Sequence, residues 1–188
     1  MNVTRSLMDV YSMDHQNINA RGPQHHLNEY INVFRMHAAV PWHTVEDIFT
    51  SVNIKKKHHW VLAVLSFSER CIFLYDSYES SGHYVAVLVE IEKITKIIPL
   101  CLQDCDFYVK KGIDLQNHPR YKDKDSSYMF DVLFEDDLPQ QPSGSLDCGV
   151  FMVMYAECLS YDHKVIPIEF DPNALRTRCA ALLWDYEI

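Results

Sequence analysis

The sequence predicts one domain in which a β-sheet is packed by helices, and three features carry that prediction. Two β-rich runs, residues 60–67 and 71–76, are separated by three polar residues and form an antiparallel hairpin. A helical segment over residues 84–97 covers one side of this sheet. A further strand and an apolar helix that begins at Cys148 follow. A chain of 188 residues, 48% of them hydrophobic, can bury a core of this kind.

The residues before the hairpin show weaker periodicity. Residues 1–25 are polar and end at Arg21-Gly22-Pro23, which predicts a loosely ordered N-terminal segment. Residues 27–36 have a strand-like or mixed pattern. Residues 44–49 follow Pro41-Trp42 and predict a short helical turn with a threonine at its start.

The remaining helices and strands are predicted from hydrophobic periodicity and from the positions of proline and capping residues. We expect the long helix to end at Pro99 and to bury four apolar side chains: Val85, Leu88, Val89 and Ile94. Residues 104–127 are rich in charge and predict a surface loop region. Residues 128–134 form a strand. The last helix begins at Asp171-Pro172, a cap and first-turn pair, and runs to Tyr186.

Composition excludes several classes of protein. The net charge of −9 and the pI near 5.5 leave no basic face for nucleic acid. No apolar run reaches the roughly 18 residues of a membrane span, and the N-terminus has no secretory apolar segment. We therefore expect an intracellular protein, nuclear or cytoplasmic, with its six cysteines reduced. Since Cys101 and Cys105 have no second pair and no H-E-x-x-H pattern occurs, we expect no zinc and no other cofactor.

Cys148 has the setting of a nucleophile. It stands directly before the apolar helical run of residues 150–156, so its sulfur lies at a helix N-terminus, where the positive end of the dipole favours a thiolate. Gly144 and Gly149 suit a tight turn and the close approach of a substrate. Upstream, Gln141 is a candidate side-chain donor to an oxyanion, beside the backbone N–H of Cys148.

The hairpin independently brings a histidine to an aspartate. Folding the chain about its turn places residue 59 opposite residues 76–78, and directly opposed strand residues have Cβ atoms about 5 Å apart. His59 is then the candidate base, and Asp76 orients it through the other ring nitrogen. Each of these residues alone has an ordinary structural interpretation, such as a buried cysteine or a strand-end turn. Their conjunction favours cysteine-based acyl chemistry.

These residues also resemble those of the ubiquitin-like protein protease family, the SUMO-deconjugating cysteine peptidases of the adenovirus-protease clan. The resemblance is carried by His59-Trp60, Asp76-Ser77 and residues 140–149, and it spans residue 42 to the C-terminus. It implies an α+β, papain-like fold, a mixed and mostly antiparallel sheet flanked by helices, with Cys148 on a central helix. It further implies cleavage after the Gly-Gly C-terminus of a ubiquitin-like protein. The resemblance implies that Trp60 forms one wall of the channel that receives the glycines. The interpretation of Trp60 as a tryptophan of the hydrophobic core has equal support.

The sequence departs from the family pattern in two places. Cys148 follows Gln141 by seven positions, one more than is usual in the family, and it follows Gln140 by eight. Gln141 is therefore the preferred oxyanion donor, and Gln140 remains an alternative. The additional helical sequence of the family is not matched in residues 1–41. We thus expect a catalytic domain over residues 26–188 and leave open that it is N-terminally truncated.

The resemblance implies a thioester mechanism and a SUMO-class partner, with its conjugates, for a monomeric enzyme. Two alternatives remain. The chain could be a catalytically weak or inactive relative that only binds a ubiquitin-like protein. It could also pass the acyl group to an amine or hydroxyl instead of water.

Overall fold

The structure is a computed structural model that describes most of the chain from residue 27 onward. The described residues are 27–29, 31–32, 40–54, 58–78, 80, 82–165 and 170–186. The loose segment predicted for residues 1–25 lies outside them. None of the described helices combines the length and the apolar character that crossing a membrane requires.

A four-stranded sheet in the order β1-β2-β3-β4 forms the centre of the described part of the chain. The strands are β1 (Asp47–Ile54), β2 (His59–Ser66), β3 (Cys71–Tyr75) and β4 (Asp131–Phe134). The first three are antiparallel neighbours, and β4 runs parallel to β3. The predicted hairpin and the mixed, mostly antiparallel sheet are confirmed.

The helices are α1 (His83–Asp104), α2 (Phe107–Lys111), α3 (Cys148–Ser160) and α4 (Pro172–Tyr186). α1 and α3 pack on opposite faces of the sheet, which agrees with the predicted α+β sheet flanked by helices. The predicted starts of α3 and α4 are confirmed. Residues 27–29 and 31, in the segment predicted as strand-like or mixed, are helical, and residues 33–36 lie outside the described part.

The side chains on the two faces of β2 are buried in two separate hydrophobic clusters. Val61, Ala63 and Leu65 belong to the cluster that includes α1, and Leu62 and Val64 belong to the cluster that includes α3. This alternation is the period of two that a strand imposes on its side chains. The sheet is therefore the middle layer between α1 and α3.

The prediction of a helical turn over residues 44–49 is wrong. A short 3-10 turn occupies Trp42–Thr44, and β1 begins at Asp47. Ile48, Val52 and Ile54 are almost fully buried on the α1 side. Pairing with β2 along its whole length satisfies the backbone groups on the inner edge of β1, and this long-range interaction overrides the local helix-start signal.

The predicted buried face of α1 is also wrong. Val85 and Val89 are 64% and 48% exposed, whereas Val87 and Ile91 are fully buried. The buried stripe continues along the helix through Thr95, Ile98 and Leu102. Most of the exposed apolar residues lie in the first turns, so the longer buried stripe removes more apolar surface from water and decides which face packs.

Pro99 lies inside α1 and does not end it, contrary to the prediction. A proline in a helix interior removes one backbone hydrogen bond and costs about 3 kcal/mol. Ile98, Cys101 and Leu102 are completely buried around and beyond it, together with Pro99 itself. Their burial offsets that cost, since a buried aliphatic side chain contributes about 2 kcal/mol.

Residues 104–127 are not simply a surface loop. They contain α2, and Phe107, Tyr108 and Tyr121 are buried in the α1 cluster. The Tyr121 hydroxyl donates a hydrogen bond to the backbone oxygen of Phe67 at 2.8 Å. The charged residues of this segment are mostly exposed, as predicted, while its aromatic residues close one side of the core.

The two faces of α1 differ enough to be tested by unfolding. We expect Ile91→Ala to lower the free energy of unfolding by about 3 kcal/mol, because it leaves a cavity in the core. Val89→Ala, on the exposed face of the same helix, should change it by less than about 0.5 kcal/mol. Urea denaturation followed by circular dichroism measures both values. Equal losses for the two variants would contradict the observed orientation of α1.

Candidate active site

His59 and Asp76 meet at one end of the sheet, as the hairpin predicts. His59 is the first residue of β2, and Asp76 directly follows β3. His59 Nε2 lies 2.7 Å from Asp76 Oδ1, and both residues are buried. A carboxylate only accepts hydrogen bonds, so Nε2 carries the proton and the lone pair of the neutral ring is on Nδ1. Nδ1 has no hydrogen-bond partner among the described residues and is the atom available to act as a base.

A second histidine, which the sequence analysis missed, holds the other oxygen of the same carboxylate. His83 Nε2 lies 2.9 Å from Asp76 Oδ2, and His83 is only 2% exposed. Its ring stands edge-on to that of His59, with centroids 4.7 Å apart. The only local signal was Gly82-His83 just before the predicted helix. That signal marks a helix start and says nothing of an aspartate seven residues upstream.

Gln141 is anchored to the residue that follows Asp76. Its backbone N–H donates to Ser77 O at 2.8 Å, and the Ser77 hydroxyl donates to Gln141 Oε1 at 3.0 Å. Gln141 Nε2 donates to Ser145 O at 3.0 Å. The amide group is thereby oriented, and one proton on Nε2 remains for another acceptor.

The turn between Gln141 and Cys148 accommodates the additional residue. Ser145 N donates to Pro142 O at 3.0 Å, and Gly144 has φ +79°, a conformation that glycine adopts without strain. Because Gln141 bonds across this turn to Ser145, its side chain is directed along the turn towards α3. Gln140 is exposed, and its Nε2 donates to the backbone oxygen of Asp76 at 3.2 Å.

Cys148 is the first residue of α3 and is 7% exposed. The backbone N–H groups of Val150 and Phe151 donate to Asp147 O at 2.8 and 3.0 Å. The N–H of Cys148 belongs to the first turn of the helix, which has no intrahelical acceptor, and it donates to none of the described residues. It is therefore free to donate to a bound oxyanion.

The structure does not join the predicted acid–base pair, His59 and Asp76, to the predicted nucleophile, Cys148. Among the described residues, no hydrogen bond joins Cys148 Sγ to the His59 ring. His59 and Val61 lie on the face of β2 that packs against α1. Trp60 and Leu62 lie on the opposite face, which packs against α3. Trp60 is half-buried on the side of the sheet where the Cys148 helix packs.

The charge next to Cys148 is neutralised from α4. Arg176 forms an ion pair with Asp147, the N-cap residue of α3, and its hydrogen bond holds the pKa of that carboxyl below its usual range. A second pair joins Arg178 of α4 to Glu157 of α3. These two arginines, two residues apart on α4, attach it to α3, and Arg176 is the one of the two that pairs beside the cysteine.

Four of the other cysteines are poor nucleophiles. Burial raises the pKa of Cys71 to about 11 and that of Cys101 to about 12, and it also raises the pKa values of Cys105 and Cys158. A thiol reacts through its thiolate, so these four are disfavoured at neutral pH.

His59, Asp76 and His83 also offer three donor atoms within 4.8 Å of one another, as a metal centre would. A metal would need the Nε2 lone pairs, but both Nε2 atoms carry the protons that Asp76 accepts. Moving the His83 proton to Nδ1 would create a buried donor without an acceptor, since Nδ1 is buried and no described residue bonds to it. The group therefore fits a hydrogen-bonded triad better than a metal centre, and the expectation of no cofactor stays a prediction.

The chain has relatives among known proteins. A family model described as Ulp1 protease family, C-terminal catalytic domain, matches residues 4–183, well upstream of residue 42. Sentrin-specific protease 2 of Pongo abelii is 29% identical over 136 residues, and that of Homo sapiens is 28% identical over 134 residues. Each match covers 71% of this chain and 19% of the relative, so the chain spans less than a fifth of the curated relatives' length.

Two solved structures are similar to the chain. One is the SUMO protease Ulp1 with its catalytic cysteine oxidised to a sulfonic acid, at 19% identity and a TM-score of 0.46, covering 88% of this chain and 59% of that one. The other is the C-terminal Ulp1 protease domain in complex with SMT3, the yeast ortholog of SUMO. It has 20% identity and a TM-score of 0.45, covering 87% of this chain and 60% of that one.

The two arginines of α4 form a matched pair for testing the charge beside Cys148. We expect Arg176→Ala to slow alkylation of Cys148 by iodoacetamide at pH 7 about two- to threefold, because the Asp147 charge then opposes the thiolate. Arg178→Ala loosens the same helix without changing this charge and should leave the rate unchanged. Mass spectrometry of the Cys148 peptide gives both rates. An equal effect of the two variants would contradict a local charge effect.

Proposed function

Since the chain belongs to the Ulp1 protease family, we propose that it is a cysteine-type peptidase that hydrolyses the peptide or isopeptide bond after the Gly-Gly C-terminus of a ubiquitin-like protein. The observation that carries this proposal is the 2.7 Å hydrogen bond between His59 and Asp76, which leaves His59 Nδ1 as a base. The SUMO class of substrate is supported by the sentrin specificity in the names of the curated relatives. The proposed place of action is the nucleus or the cytoplasm.

In the first half of the proposed reaction, His59 Nδ1 takes the proton of Cys148 Sγ, and the sulfur attacks the carbonyl carbon of the terminal glycine. The carbonyl electron pair moves to oxygen, which accepts hydrogen bonds from Gln141 Nε2 and from the Cys148 N–H. His59 then donates its proton to the leaving nitrogen. The C–N bond breaks and leaves a thioester on Cys148.

In the second half, His59 takes a proton from water, and the hydroxide oxygen attacks the thioester carbon. The C–S bond breaks, the sulfur regains its proton from His59, and the glycine leaves as a carboxylic acid that releases its remaining proton to the solvent. Asp76 keeps the ring in the tautomer with hydrogen on Nε2 and stabilises the imidazolium that forms in each half. The proposed hydrogen bond between Cys148 Sγ and His59 Nδ1 forms in the substrate complex, since catalytic hydrogen bonds are often absent or long without substrate.

Trp60 is the proposed specificity element. It is half-buried on the face of the sheet that packs against α3, the same face of β2 as Leu62 and Val64. A flat indole on this face would narrow the passage to Cys148 and reject side chains larger than that of glycine. This role accounts for cleavage after two consecutive glycines.

The covalent step gives a direct test. A SUMO protein with an electrophile at its C-terminus should label the wild-type chain at Cys148, and Cys148→Ser should abolish labelling while the circular dichroism spectrum is unchanged. Cys179→Ser, at a half-buried free thiol of α4, is the matched control and should label normally. Ubiquitin and other ubiquitin-like probes define the substrate class. Retention of SUMO without labelling would instead identify an inactive binder, and an amide or ester product would identify an acyl transferase.

The two neighbouring glutamines distinguish the oxyanion donor. We expect Gln141→Ala to lower kcat roughly 100-fold with little change in KM, because the donor acts on charge that develops in the transition state. Gln140→Ala should lower kcat by less than about threefold, since its amide bonds to backbone oxygens. Steady-state cleavage of a SUMO fusion measures both. A larger loss for Gln140→Ala would reverse the assignment.

A further inference from the structure

His83 occupies an unusual position for a helix-start residue. It is the first residue of α1, after Gly82 at φ +79°, and its side chain is almost completely buried. A buried imidazole must satisfy two ring nitrogens, and among the described residues only Nε2 has a partner, the Asp76 carboxylate. A side chain that served only to fill the core would more often be apolar. Its bond to Asp76 is therefore the feature that needs an explanation.

The protonation state of His83 follows from its partners. Nε2 faces a carboxylate oxygen and must donate. Nδ1 is buried and has no acceptor in the described part of the chain, so a proton on it would be an unsatisfied donor, whereas a lone pair there is less costly. His83 is thus a neutral ring with its hydrogen on Nε2, and it donates one hydrogen bond without adding a charge to the site.

This donor completes the hydrogen bonding of Asp76. Oδ1 accepts from His59 Nε2 and from the backbone N–H of Tyr78 at 3.1 Å, and Oδ2 accepts from His83. With both oxygens engaged from different elements, the carboxylate cannot rotate about its Cβ–Cγ bond. The perpendicular ring of His83 also lies against the His59 ring and limits its rotation.

We propose that His83 is a positioning residue that, by holding Asp76 Oδ2, keeps His59 in the tautomer and orientation in which Nδ1 is the base. The proposal rests on the function proposed above, and it adds a second histidine to the acid–base half of the site. Without His83, Asp76 turns towards other donors, the His59 bond is lost, and the ring populates the Nδ1–H tautomer that cannot accept the thiol proton. His83 is sealed from the substrate, so binding is unaffected.

Two substitutions separate the hydrogen bond from the shape of the side chain. His83→Phe fills the site with a ring of similar size but has no donor. His83→Gln supplies an amide N–H at about the distance of Nε2. For cleavage of a SUMO fusion, we expect His83→Phe to lower kcat roughly 10- to 100-fold at constant KM, because a small misplacement of a catalytic group costs this much. We expect His83→Gln to recover kcat to within about threefold of wild type.

A measurement without turnover keeps this inference apart from the proposed function. In the Cys148→Ala background, side-chain 15N spectra should show His59 as a single Nε2–H tautomer with His83 or with His83→Gln, and as a mixture of tautomers with His83→Phe. These spectra support the positioning role of His83 even if the wild-type chain cleaves nothing. The absence of cleavage would overturn the proposed peptidase function but not the proposed role of His83. A single unchanged tautomer in folded His83→Phe would overturn the inference, as would equal kcat losses in folded His83→Phe and His83→Gln.

Discussion

The buried carboxylate of Asp76 is the interaction on which the site depends. A buried charge is costly unless hydrogen bonds replace the water that it loses. Here the donors are His59 from β2, His83 from α1 and the backbone of Tyr78, so three parts of the chain must be correctly placed to satisfy one side chain. Any movement of one of them leaves the charge undercompensated. This requirement makes the acid–base half of the site rigid.

The corner after β3 extends this rigidity towards the nucleophile. Ser77, buried directly beside Asp76, exchanges two hydrogen bonds with Gln141, which in turn bonds to Ser145 in the turn before α3. The proposed oxyanion donor is thus attached to the acid–base half, although it is close in sequence to Cys148. The turn of residues 142–147 is then the connection between the two halves. An additional residue in that connection changes its length without detaching Gln141.

Local sequence patterns predicted those elements whose signals need no distant partner. The hairpin of β2 and β3, the start of α3 at Cys148 and the start of α4 at Pro172 all follow from strand propensity, a short turn or a helix cap, and the structure has them. β1 was missed because its pairing with β2 outweighs a local helix-start signal. The buried face of α1 was misassigned because two apolar stripes compete in the sequence. Only the packing of the whole helix on the sheet separates them.

The contacts of the site also divide into those that local sequence patterns predicted and those that depend on tertiary packing. By itself, the sequence determined that His59 and Asp76 meet, because a hairpin fixes which strand residues are opposite one another. It also determined that Cys148 begins a helix. Only the tertiary structure decided that His83 shares Asp76 and that Gln141 is attached to Ser77. Those contacts join residues from separate elements, and their distances depend on how α1 and the Gln141 segment dock against the sheet, which no local pattern encodes.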